Sequence, residues 1–291
     1  NTGARIRYNR AGWDRLGKLG RERDAFLWSP VCPEVMAGLG VPRLPIRLAG
    51  GNGDDVWTGA AAVKNRDGED VTEACKAGCE SCLEALHRAG VEAFVFMEGS
   101  PTCGVYRTTL KNKRLGKPPG TFGSLLLKEE LFLIPAIDLE SPVKWWDWRR
   151  RLHAFVWLKR QNIGTKKEMY DAWHLLKFIC QEAGEKEARD LGHEIAELPK
   201  QIKQDALDSW KRRTLMLLRR PSTIARIHTA LQKHFAYYKR QGGFESAGGI
   251  ELPDREGAKY KFAAALLEME KRSVTEDFFF AATPVIFRGD R

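Results

Sequence analysis

A chain of 291 residues is long enough for two domains of ordinary size, each burying its own core. Its 43% hydrophobic content, with 9 Trp and 14 Phe, excludes a disordered chain, and no apolar run approaches the ~20 residues of a membrane helix. The net charge of +10 is confined to residues 145–240, which hold 21 Lys and Arg against 11 Asp and Glu, so the rest of the chain is neutral.

The chain opens on Asn1 without a methionine, so further residues are expected upstream. LPIRL at 44–48 reads as a strand, and a helical pattern follows at 71–89. VEAFVFM at 91–97 is a β-branched and aromatic strand ended by the Gly/Pro loop EGSPTCG. SLLLKEE at 124–130 reads as helix and LFLIPAI at 131–137 as strand. Helix alternating with strand predicts a Rossmann-like α/β domain with a mostly parallel sheet. Its ligands would lie beyond the carboxyl ends of the strands, where residues 98–104 fall. KNKRLGKPPGTFG at 111–123 is basic and rich in Pro and Gly, and reads as a mobile surface loop.

Composition changes at ESPVKWWDWRRR, where helical patterns begin at 145–161, 166–183, 185–198, 202–218 and 223–241, punctuated by Pro199 and Pro221. These predict an all-α helical bundle. GGFESAGG at 242–249 reads as a flexible link to one more helix at 258–271. The expected division is an α/β domain over 1–143 and a basic helical domain over 144–291.

CKAGCESC places Cys75, Cys79 and Cys82 in a C-x3-C-x2-C spacing used by some iron-sulfur sites. On a helix these positions are i, i+4 and i+7, one stripe shared with Leu83 and Leu86, and the outer two sulfurs would stand roughly 10 Å apart. Core packing therefore outweighs a cluster for this trio. Cys32 in SPVCPEV and Cys103 in SPTCGV sit in proline-containing turns, and Gly104 would admit a bulky ligand close to the backbone. Each is equally consistent with a small buried hydrophobe, and two thiolates do not complete a cubane. The six cysteines are too few for a disulfide scaffold and suit a reducing, cytoplasmic setting. The histidines at 153, 174, 193, 228 and 234 lie on helices without metal-ligand spacing.

CPEVMAGLGVPRLP at 32–45, DGEDVTEACKAG at 67–78 and SPTCGV at 100–105 resemble, in order and spacing, the motifs of the thiouracil desulfidase family of TudS-type proteins. NTGARIRYN resembles that family's opening C-x-x-G-x-x-x-R-Y-D, its leading cysteine falling immediately before Asn1. The resemblance covers roughly residues 1–140 and implies an α/β enzyme that removes sulfur from thiolated uracil through a three-cysteine 4Fe-4S cluster. It implies Cys32 and Cys103 as cluster ligands, Glu34 as catalytic acid or base, and Ser100 as a catalytic hydroxyl. A surface glutamate and a turn-forming serine are the plainer readings of the last two. The departures are RYN for R-Y-D, AGLG for a GGL-type turn and a longer basic loop after Thr109.

Residues 150–245, with RRPSTIARIHTALQKHFAYYKRQ at 219–241, resemble a helical YbgA-type domain found fused behind desulfidases. Such fusions imply 4-thiouridine in tRNA as substrate, with the target base unstacked or flipped. Arg149, Arg150, Arg151, Lys211, Arg212, Arg213, Arg219 and Arg220 would then contact phosphates, interleaved with aromatic residues able to stack on bases. The alternatives are that these charges solvate helices and the aromatics fill the bundle, or that the chain is a catalytically inactive RNA-binding module. AGGNGDD at 49–55 lacks the serine of an ATP-binding SGG loop and reads as a turn, which disfavours sulfur insertion.

Overall fold

The computed structural model describes residues 7–8, 11–12, 16–109, 117–199 and 201–240, which divide into two units, Asn1–Glu140 and Ser141–Arg291. In the first, β1 (Arg7–Tyr8) pairs with β2 (Ala11–Gly12), a 3-10 helical stretch covers Leu16–Ala25, and α1 (Pro33–Met36) is a single turn. β3 (Ile46–Ala49), α2 (Gly53–Thr58), β4 (Ala62–Asn65), α3 (Thr72–Arg88), β5 (Ala93–Phe96), α4 (Thr121–Lys128) and β6 (Phe132–Pro135) follow. This is a mixed α/β unit in which the described strands form three two-stranded ladders.

The parallel pairing expected from sequence is present between β5 and β6, with Ala93 opposite Phe132 and α4 in the crossover. β3 and β4 instead pair antiparallel, with Ile46 opposite Asn65. The six residues of α2 rise only about 9 Å, less than the ~13 Å of a four-residue strand. Such a helix does not return the chain to the start of a parallel partner. AGGNGDD turns directly into α2: the Asn52 side chain accepts from the Asp55 amide at 3.0 Å while Asp55 accepts from the Asn52 amide at 2.8 Å.

Residues 111–116 lie outside the described residues, but the second half of the expected mobile loop is not a surface loop. Pro119 to Ser124 are buried, and α4 begins at Thr121. The reason is hydrogen bonding. The first amides of a helix lack intrahelical partners, and here carbonyls of the turn after β5 supply them. Gly120 N–H donates to Gly104 O at 2.7 Å, Thr121 to Pro101 O at 3.1 Å, and Phe122 and Gly123 to Thr102 O at 2.9 and 3.0 Å.

α3 buries Cys75, Cys79, Cys82 and Leu86 of the stripe read from sequence, and Leu83 is partly buried against the core of Cys79 and Cys82. Cys79 and Cys82 join Phe96, Val105, Phe122, Leu126 and Leu133 in one core, and Cys75 packs with Val56 and Val63. α1 lies across α3 at Gly78, where a Cβ would meet the Pro33 carbonyl at 2.3 Å and the Ala37 amide at 2.6 Å. That backbone-on-backbone contact tolerates no side chain.

The second unit is helical: α5 (Pro142–Arg160), α6 (Lys166–Ala183), α7 (Glu185–Glu197), α8 (Gln204–Arg219) and α9 (Ile224–Arg240). The link and helix expected at 242–249 and 258–271 lie outside the described residues. α6 buries Met169, Ala172, Trp173, Leu176, Ile179, Cys180 and Ala183 at helical spacing, and Trp173 meets Trp210 of α8 edge-to-face at 6.2 Å. Helix carbonyl ends are closed by cations from other helices. Lys211 on α8 donates to Lys159 O and Gln161 O, Arg226 on α9 to Ala183 O, Lys166 on α6 to Ala196 O and Leu198 O, and Arg151 on α5 to Leu218 O and Arg220 O. No helix among the described residues is long and apolar enough to cross a membrane.

Two outcomes test this packing. Gly78→Ala should lose about 1–3 kcal/mol by overpacking α1 on α3, read by urea unfolding of the full chain. Arg151→Met should lose about 3 kcal/mol because buried Asp147 keeps only Arg150, at 3.7 Å, and the Leu218 and Arg220 carbonyls lose their donor, read from tryptophan fluorescence, whereas exposed Arg212→Ala should stay within about 0.5 kcal/mol.

Candidate functional site

Cys32 caps the start of α1 with an extended backbone, its carbonyl accepting the Val35 and Met36 amides at 3.1 and 3.0 Å. Two residues on, Glu34 is buried, and the Cys32 thiol donates to Glu34 Oε2 at 3.2 Å. The loop after α1 returns Arg43 to the same place. Its Nη2 lies 3.4 Å from Glu34 Oε2 and 3.8 Å from Cys32 Sγ. Burial and the Glu34 carboxylate push the Cys32 thiol up, against the Val35 amide and Arg43.

Cys103 lies in the turn that follows β5, and three features close that turn. Ser100 Oγ accepts the amides of Thr102 and Cys103 at 3.2 and 3.0 Å, and Gly104 N–H donates to Ser100 O at 3.0 Å. Outside it, Glu98 Oε2 accepts the Arg107 amide at 3.0 Å while Gly99 N–H donates to Arg107 O at 2.9 Å. A Cβ on Gly104 would meet Arg107 O at 2.1 Å, so the chain crosses itself at a point only glycine allows. Ser100 is buried, with its oxygen accepting two backbone amides; its own proton remains available to donate.

Cys103 is half-buried against the core containing Cys79 and Cys82, and burial pushes its thiol well above the usual range. Glu34, Cys79, Cys32 and Cys82 push the same way, in that order. The Glu34 carboxylate also raises Cys75, Cys79 and Cys82, so one carboxylate stands among all the thiols of this unit. Burial chiefly holds Cys75 up to about 11 and Cys82 up to about 12. Cys82 Sγ is 3.1 Å from Met36 Sδ, which ties the helical stripe to α1.

Iron-sulfur clusters take thiolate donors. Cys32 and Cys103 fit part of such a donor set: both sit in turns, both are less buried than the helical cysteines, and the Glu34 carboxylate acts on both. A bound cation would reverse the burial effect that keeps them protonated. Among the described residues, no group of three or more His, Cys, Asp and Glu side chains is arranged to hold a metal ion. Sequence reasoning passed over Arg43, although it closes the CPEVMAGLGVPR motif. A cation eleven residues from Cys32 gives no sign of its return until the intervening turn is known.

The basic residues of the second unit have several fates. Arg149, Arg150 and Arg151 are buried on α5. Arg150 pairs with Glu182 at 2.6 Å and lies over the Trp146 ring, and Arg151 pairs with Asp147 at 2.5 Å and lies over Trp148. A guanidinium so enclosed reaches a phosphate only by breaking these contacts, and Lys211 is likewise engaged with backbone carbonyls. Arg212 is exposed, Arg213 pairs with Glu194, Arg219 is half-buried and Arg220 pairs with Glu187 at 2.8 Å. Arg213 and Arg220 flank a depression that also contains Glu187, Asp190 and the exposed Met216, so the local charge is mixed.

The profile of a family described as 2-thiouracil desulfurase matches residues 2–137. The uncharacterized protein YbbK of Bacillus subtilis (strain 168) is 34% identical over 118 residues, which are 39% of this chain and 76% of YbbK. A solved structure of the 4Fe-4S-dependent thiouracil desulfidase TudS is similar at 26% identity, covering 44% of this chain and 78% of that one with a TM-score of 0.33.

The buried thiols make a pH prediction. Cys75 stays protonated up to about 11 in the native chain but ionises near 9 once unfolded. The unfolded state then binds fewer protons, so native stability falls as pH rises from 9 towards 11, by at most about tenfold in the folding constant per pH unit. Urea unfolding across that window should show a shallower fall for Cys75→Ala than for the wild-type chain.

Proposed function

The chain belongs to the 2-thiouracil desulfurase family, and from that premise we propose that it removes sulfur from thiolated uracil bases, giving uracil or uridine and sulfide. The observation that carries the reading is Glu34, buried 3.2 Å from the Cys32 thiol with Cys103 in its field. Cys32 and Cys103 would hold a 4Fe-4S cluster together with the opening cysteine of the family motif, upstream of Asn1. When bound, the cluster supplies a thiophilic Lewis acid for the substrate sulfur.

The chain's own residues handle the rest. Glu34 takes a proton from water, the water oxygen bonds to the ring carbon, and the carbon-sulfur bond breaks to release sulfide. Glu34 returns that proton to the leaving sulfur, and the second water proton follows from the ring hydroxyl as the carbonyl forms, so thiocarbonyl and water give carbonyl and hydrogen sulfide. Ser100 holds the Cys103 turn through two amide hydrogen bonds and keeps its hydroxyl proton to donate to the base or the water. The apolar wall of Phe96, Val105 and Phe122 behind the turn limits water on that side.

For the helical unit we propose a supporting role in engaging tRNA, with 4-thiouridine as the target. The exposed Arg212, together with Arg213, Arg219 and Arg220, is better suited to phosphate than the enclosed arginines of α5. Exposed ion pairs such as Arg220 with Glu187 contribute little to stability, so phosphate can compete for the guanidinium.

The test is anaerobic reconstitution of the full natural chain, followed by loss of thiouracil absorbance. Wild type should show the cluster's charge-transfer band and release sulfide. Glu34→Gln should keep the band and lose about 10²- to 10⁴-fold in kcat. Equal turnover by the two removes Glu34 from the chemistry, and a wild-type chain that takes up no iron overturns the reading.

A further inference from the structure

We propose that Arg43 is a positioning residue, holding the Glu34 carboxylate beside Cys32 when that cysteine is ionised on iron; this rests on the functional reading above. The guanidinium is anchored at one end and bridges at the other. Nη1 donates to the Gly40 carbonyl at 3.5 Å, while Nη2 faces Glu34 Oε2 at 3.4 Å and Cys32 Sγ at 3.8 Å. The turn that brings it there uses Gly38 and Gly40 in the left-handed region, with φ of 74° and 75°. The guanidinium therefore lies against both a proposed ligand and the proposed acid/base.

In the protonated state the Cys32 thiol itself holds Glu34, donating to Oε2 at 3.2 Å. That hydrogen bond vanishes once the sulfur binds iron as a thiolate. Sulfur and carboxylate oxygen are then two acceptors at short range, with no proton between them and like charge driving them apart. Arg43 Nη2 donates to Cys32 Sγ and faces Glu34 Oε2 as an ion pair, so it sets a positive charge against both atoms where the proton was. Its fork is rigid, so anchoring Nη1 on Gly40 O fixes where Nη2 points. Without it the carboxylate is free to turn towards solvent and away from the reacting carbon. Side chains that touch a metal ligand in this way typically change metal affinity or activity by about 10- to 100-fold when removed.

The experiment compares wild type, Arg43→Lys and Arg43→Gln as full natural chains after anaerobic reconstitution. Three quantities are read: iron and sulfide per chain with the rate of cluster loss to a chelator, the EPR spectrum of the reduced cluster, and kcat against KM for thiouracil. Arg43→Gln should lose its cluster at least about tenfold faster, show a shifted EPR spectrum, and lose kcat by about tenfold or more with KM little changed. Arg43→Lys, which keeps the charge without the fork, should recover part of each effect. A wild-type chain without iron overturns the functional reading and this inference with it. If wild type holds the cluster and Arg43→Gln matches it in release rate and EPR spectrum, this inference alone falls. Equal defects in Arg43→Lys and Arg43→Gln, confined to unfolding midpoint with an unaltered EPR spectrum, also overturn it.

Discussion

The site in the first unit depends on one close contact, the crossing of α1 over α3 at Gly78. Because position 78 has no side chain, the Pro33 carbonyl and the Ala37 amide settle onto the α3 backbone. A single-turn helix has little stability of its own, so this seat is what fixes Cys32 and Glu34 in space. The Cys103 turn is fixed by a different device. Its carbonyls serve as partners for the first amides of α4, so the turn and the helix each complete the other's hydrogen bonding. Two cysteines far apart in sequence are thereby held largely by backbone interactions, with the Ser100 hydroxyl closing the second turn.

Around these two turns the electrostatics favour neutral thiols. Burial raises every thiol in the unit, and the buried Glu34 carboxylate raises them further. Left without positive charge such a group of thiols stays neutral and inert. The arrangement becomes reactive only if something positive enters it, and Arg43 supplies part of that charge from the rim. The helical stripe Cys75, Cys79 and Cys82 takes part differently: it is core, with half-buried Cys103 packed against part of it, and Cys82 abuts α1 through Met36.

Most helices were legible because their apolar residues recur at helical spacing, as in α3 and α6, and because Pro199 and Pro221 mark their ends. The motif residues were legible through resemblance, since Cys32 and Cys103 alone are indistinguishable from buried hydrophobes. Three things were hidden. β4 has only four residues, AVKN, without a β-branched run, and its antiparallel partner is set by the short α2 rather than by pattern. The stretch 117–123 has loop composition, yet its amides are satisfied by a distant turn that no local rule reveals. Arg43 reaches Glu34 through a turn whose course depends on two glycines in the left-handed region.

Charge was the least transparent signal. An excess of +10 in one segment suggests a surface for polyanions, but much of it has an internal destination. Lys166, Lys211, Arg151 and Arg226 each sit on the carbonyl end of a helix other than their own, where four backbone acceptors lack partners and the helix dipole is negative. Such cations raise the net charge of the segment while their donors are spent on backbone carbonyls. Composition counts both kinds alike. The partners of each ammonium or guanidinium, carbonyl, carboxylate or ring, separate a cation that holds the bundle together from one placed to meet a phosphate.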